Sequence, residues 1–80
     1  MLKKPCKEYG AFIQLERERK KLTREKFSVL IRTNLYMVDR LEKGEVYPTD
    51  SLIENLSKVL DIPFQVLKTI IWSEPTQRDR

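Results

Sequence analysis

The sequence contains no histidine, a single cysteine and only two glycines, and each scarcity closes off a class of chemistry. Without imidazole there can be no Ser-His-Asp triad, no histidine general base and no histidine-bearing metal site. Cys6 alone cannot form an intramolecular disulfide or a cysteine-rich zinc site, and one unpaired thiol suits a reducing compartment. Two glycines, Gly10 and Gly44, cannot build a glycine-rich phosphate loop. No apolar run approaches the ~18–20 residues that a membrane span needs. The lysines among residues 1–7 are not followed by an apolar stretch, so no signal peptide is visible. No nucleophile–base pair or metal-ligand set is available, which argues against an enzyme, and nothing calls for a cofactor. The expectation is a cytoplasmic binding module with no membrane partner.

What is present is enough for one small domain. The chain has 80 residues, of which 40% are hydrophobic, and at this size a single modest core leaves stability marginal. The net charge of +4 is unevenly spread. Residues 1–32 carry ten basic and four acidic side chains, residues 33–72 carry four and six, and the last eight residues cancel. A basic half is the electrostatic footprint of a nucleic-acid binder. A solvated helix laced with pairs such as Glu16–Lys20 would produce a similar run, so charge alone leaves both readings open.

Apolar spacing and capping residues predict an all-α chain of five helices. Residues 1–8, with Pro5, read as a loose N-terminal arm, residues 9–72 as the domain, and residues 73–80, with Pro75, as a loose tail. The first helix is expected over Tyr9 to Lys20, with Phe12, Ile13 and Leu15 as its apolar members and Leu22 closing it. Thr23 caps a second helix, Arg24 to Arg32, which buries Phe27 and Ile31. Asn34 caps a third, Leu35 to Lys43, burying Val38 and Leu41, and Gly44 supplies its left-handed stop. Thr49 or Asp50 caps a fourth, Ser51 to Leu60, with Leu52, Leu56, Val59 and Leu60 on one stripe. Pro63 suits the entry to a fifth, Phe64 to Ile71.

Only two or three residues, within Arg32-Thr33-Asn34, separate the second helix from the third. Two short helices joined by so tight a turn form a helix-turn-helix, in which the first crosses the sugar–phosphate backbone and the second enters the major groove. From Gly10 to Leu67 the chain resembles the lambda-repressor-like (Cro/C1, XRE-type) helix-turn-helix family. The matching stretches are Gly10-x-x-Ile13-x-x-x-Arg17, Leu22-Thr23-x-x-x-Phe27 and Val38-x-x-Leu41-Glu42-Lys43-Gly44-x-x-x-Pro48, followed by Leu52-x-x-x-Leu56-x-x-x-Leu60-x-Ile62-x-x-x-x-Leu67. The resemblance implies a structural ion pair between Arg17 and Glu42 that braces the third helix, and a helix C-cap at Gly44.

It also implies that Leu35, Tyr36, Asp39 and Arg40 face base edges. Arg40 suits guanine, Asp39 suits cytosine N4, and Leu35 and Tyr36 suit thymine methyls. Thr23, Arg24, Arg32, Asn34, Lys43, Tyr47 and Thr49 are the candidate phosphate contacts. Arg32 stands where the family usually has glycine, at a conformational cost of ~1 kcal/mol. Arg24 replaces the usual glutamine with a full charge, and Ser28 keeps the small volume of the usual alanine. Glu45 sits where the family tends to be basic, and Asp39 near phosphates is unfavourable unless Arg40 or Lys43 compensates it.

The resemblance implies a transcriptional regulator that binds double-stranded DNA as a homodimer. Chains of this pattern include phage repressors, antitoxin components and restriction–modification controllers. Ile70, Ile71 and Trp72 extend apolar character beyond the family domain and are possible dimer contacts, or else cover the core. Val29, Leu30, Leu35, Tyr36 and Met37 cluster around the turn. They admit three readings: thymine contact, a locally different core, or a patch that docks a partner protein. The last would make the chain a protein–protein interaction module on the same scaffold.

Overall fold

Short polar side chains set where three of the helices begin. In the computed structural model, which describes residues 7–72, the chain forms α1 (Tyr9–Arg19), α2 (Arg24–Leu30), α3 (Leu35–Glu42), α4 (Asp50–Leu60) and α5 (Phe64–Ile71). There is no strand among the described residues, so the fold is all-α with five helices, as expected. Thr23 Oγ1 accepts from the Lys26 amide, Asn34 Oδ1 from the Met37 amide and Thr49 Oγ1 from the Leu52 amide. Each cap satisfies an amide that the first helical turn leaves without a backbone partner.

Four of the helices end alike. Lys21, Arg32, Gly44 and Asp61 follow α1 to α4 in the left-handed region, with φ of 58°, 64°, 68° and 59°. At each end the next amide reaches back into the last turn: Leu22 N to the Arg17 carbonyl, Thr33 N to Ser28, Glu45 N to Arg40 and Ile62 N to Ser57, at 2.8–3.2 Å. This is the Schellman closure, and three of its four left-handed positions are occupied without glycine. The closures shorten the expected helices. The first three stop at Arg19, Leu30 and Glu42 rather than Lys20, Arg32 and Lys43, and α4 starts at Asp50 because Thr49 is its cap.

The core draws on every helix. Tyr9 and Ile13 of α1, Phe27 of α2, Val38 and Leu41 of α3, Ile53, Leu56 and Leu60 of α4, and Leu67 and Ile71 of α5 are buried together with Ile31. Two expectations are corrected. Leu15 is exposed, because the buried stripe of α1 runs through Tyr9, Ile13 and Arg17, and Leu15 lies about 200° around the helix from Ile13. Ile53 rather than Leu52 is the fully buried member at the start of α4, giving a 53, 56, 60 stripe with Leu52 and Val59 half-buried at its edges.

Glycine and an ion-paired cluster fix α3 against α1. A Cβ on Gly10 would lie 2.3 Å from the Glu42 carbonyl oxygen, so the two backbones can meet only through a hydrogen. Beside that contact Arg17 Nε donates to Glu42 Oε2 at 2.5 Å, and Arg17 Nη1 donates to the Leu22 carbonyl at 2.7 Å. Both side chains are buried, and these bonds are what makes their burial tolerable. At the same end of α3, just past Glu42, Gly44 packs against the Lys7 carbonyl, which a Cβ would approach to 2.3 Å.

Lys7 and Glu8, expected in the N-terminal arm, belong to the approach to α1. Gly10 N donates to the Lys7 carbonyl and Phe12 N to that of Glu8. The rest of the arm, Cys6 included, and the tail at 73–80 lie outside the described residues.

Candidate nucleic-acid interface

The buried side of α3 decides what its other side can do. With Val38, Leu41 and Glu42 turned inward, Leu35, Tyr36, Asp39, Arg40 and Lys43 share the opposite face. Tyr36 is 68% exposed and Leu35 45%, while Asp39 and Arg40 are partly covered. The cover is mutual: Lys43 Nζ lies 3.2 Å from Asp39 Oδ2, and Arg40 Nη1 lies 3.5 Å from Glu45 Oε1. The Arg40 guanidinium also rests over the Tyr36 ring, 5.5 Å from its centroid. Asp39 is thus compensated by Lys43, one of the two ways the sequence allowed.

Around this face lie the residues assigned to phosphates. The capping oxygens of Thr23, Asn34 and Thr49 accept from their own helices, which leaves the threonine hydroxyl protons and the Asn34 amide to donate outward. Arg24 Nε donates to Glu42 Oε1 at 3.0 Å, so Glu42 holds two arginines rather than the one expected. The Arg24 side chain remains 48% exposed. Arg32 is exposed at its left-handed position.

The structure brings Arg32, Tyr47 and Thr49 to one groove between the α2–α3 turn and the loop after α3, and adds Thr33, Ser51 and Asn55 to its walls. Arg24 and Lys43 lie outside that groove. Sequence reasoning missed Asn55. Its Nδ2 donates to the Ile31 carbonyl at 3.1 Å and ties α4 to the end of α2, a long-range contact that no local pattern signals.

The C-terminal apolar residues have several destinations. Ile71 is fully buried in the core, which corrects its assignment as a dimer contact, since no surface of it is left for a partner. Ile70 and Trp72 are partly buried against that core. The Trp72 ring lies 5.7 Å from that of Tyr47, tilted by 45°, and supports the loop from below. Lys68 Nζ adds a second tie, 3.2 Å from Asp50 Oδ1 at the start of α4.

Among the described residues no group of three or more acidic, cysteine or histidine side chains could hold a metal ion. No described helix is long and apolar enough to cross a membrane.

No family model matches the sequence, and no curated protein does. Solved structures do. The restriction-modification controller protein C.AhdI from Aeromonas hydrophila superposes with a TM-score of 0.69 at 24% identity, over 76% of this chain and 88% of that one. PlcR from Bacillus thuringiensis, solved in complex with the peptide PapR7 and DNA, superposes with a TM-score of 0.73 at 26% identity. That match covers 81% of this chain but spans only 23% of PlcR. The chain has the lambda-repressor-like helix-turn-helix fold.

Proposed function

We propose that this helix-turn-helix domain binds double-stranded DNA as a transcriptional regulator, with α3 in the major groove. The observation that carries the reading is the exposed face of α3, which presents Leu35, Tyr36, Asp39 and Arg40 outward while Gly10, Arg17 and Glu42 hold the helix rigidly from behind. A reading helix must be fixed to within a fraction of a base step, and a bonded cluster at its buried side does that. Arg24 and Arg32, with the outward donors of Thr23, Asn34 and Thr49, would hold the flanking phosphates, joined by Lys43 and Tyr47. The solved PlcR complex, which contains DNA, supports the same use of the fold.

The regulator acts as a homodimer on a roughly palindromic operator, since one such domain buries too little surface for tight specific binding. Ile70 and Trp72, partly buried against the core, and Val66, exposed on α5, would supply apolar contacts to a second copy. As such a regulator it would act in the cytoplasm, and the reading calls for neither a cofactor nor an enzymatic step. The test is selection of bound duplexes from a random pool. Two half-sites centred about one helical turn apart are expected, and a pool that stays random overturns the reading.

One observation favours a second reading. Val29 is 72% exposed and Leu30 47%, beside Leu35 and Tyr36, an apolar rim that base contact does not use in full. As an interaction module the same scaffold would dock a partner protein there, and its binding would respond weakly to salt.

A further inference from the structure

We propose that Tyr36 and Glu45 form a holder for the Arg40 guanidinium, and that Glu45 is thereby a positioning residue that sets the base preference where Arg40 reaches. The proposal rests on α3 reading DNA, as argued above.

Two contacts constrain the group. The guanidinium lies over the Tyr36 ring, one turn back, its carbon 5.5 Å from the ring centroid, and Glu45 Oε1 lies 3.5 Å from Nη1. The ring confines the cation from one side, and the carboxylate draws one of its nitrogens, so together they narrow the positions and rotations open to it. Guanine presents O6 and N7 side by side and takes both N–H groups of a single guanidinium edge, so its recognition depends on both settings. Arginine carries five N–H donors, so the contact with Glu45 leaves others to reach a base.

The helix end delivers Glu45 to this place. Gly44 turns the chain at φ 68°, and the Glu45 amide donates to the Arg40 carbonyl at 3.0 Å. The same two residues are therefore joined through backbone and side chain. The neighbouring Asp39–Lys43 pair, at 3.2 Å, has no ring contact beneath it, and an ammonium has no plane to orient. That pair suits a phosphate, whereas the held guanidinium suits a base.

A carboxylate this close to the phosphates also repels them, and the two roles have opposite signatures. In the full-length protein, dissociation constants are measured for the selected duplex, for that duplex with the guanine contacted by Arg40 replaced, and for random duplex. Glu45→Ala is expected to tighten binding to random duplex by about threefold, because one negative charge is gone. It should also lower the preference for the selected over the replaced duplex by about tenfold, towards that of Arg40→Ala. Glu45→Gln, which keeps an oxygen acceptor, should recover part of that preference. Tyr36→Leu, which removes the ring beside the guanidinium, should lower it as well. If Glu45→Ala tightens all three duplexes by the same factor, Glu45 only repels and the proposal is overturned. A wild-type protein that binds no duplex overturns the DNA-binding reading, and this one with it.

Discussion

Glu42 accepts from Arg17 and Arg24 at once, and the two bonds have unequal consequences. Arg17 is buried with it, whereas Arg24 is half in solvent, where its charge is screened. Glu42→Ala should therefore destabilise the fold by about 3–5 kcal/mol through the unpaired buried Arg17, which urea denaturation would read out. Arg24→Ala should lie within about 1 kcal/mol of wild type. Equal losses would show that the half-exposed bond, not burial, sets the energetics.

The Tyr9 hydroxyl is a second buried polar group, donating to the Val46 carbonyl at 3.0 Å. Burial pushes its pKa from 10.0 up to about 12. A raised folded-state pKa favours the protonated form in the fold. The stability it provides is complete below pH 10 and is lost as pH rises towards 12. Tyr9→Phe should cost about 1 kcal/mol at neutral pH for the lost bond and show a shallower alkaline decline than wild type. Parallel declines would remove Tyr9 as the titrating group.

At the scale of elements, helix starts were legible, as were the ends of α4 at Leu60 and α5 at Ile71 and the left-handed stop at Gly44. The ends of the first three helices were overrun by one or two residues. Thr23, Asn34 and Thr49 act on an amide three residues ahead, so the signal and its target lie in one short window. The left-handed ends at Lys21, Arg32 and Asp61 carry no such signal, because these residues enter that region only where packing and the back-reaching amides require it. The departure at Arg32 from the glycine that the resemblance implies was visible, but its outcome was not: Arg32 itself takes the left-handed conformation, with φ of 64°. Arg32→Gly should then raise stability by up to about 1 kcal/mol, less the greater freedom glycine has in the unfolded chain. A loss of more than 1 kcal/mol on chemical denaturation would mean that the arginine side chain itself supports the turn.

The candidate site was partly legible for the same reason. The exposed face of α3 follows from spacing around two buried positions, and the Arg17–Glu42 pair from the family resemblance. Asn55 reaching Ile31, Trp72 reaching Tyr47 and Ile71 entering the core all depend on how α4 and α5 fold back on the first three helices. No local pattern carries that information.

For the molecule as a whole, charge is divided by task. The basic excess lies in residues 1–32, while residues 33–72, which include α3, carry more acidic than basic side chains. The acids on the α3 side are each partly offset, since Asp39, Glu42 and Glu45 lie against a cation. On the proposed reading, attraction to the phosphate backbone would come from the flanks, and selectivity from a face whose charges are already arranged.

The salt dependence of binding to a random duplex tests this directly. With Arg24, Arg32 and Lys43 neutralising phosphates, log K should fall with log salt with a slope of about −3 per domain, and about twice that for a dimer. A slope near zero, or no binding at low salt, would contradict the account and leave the apolar rim at the α2–α3 turn as the working surface.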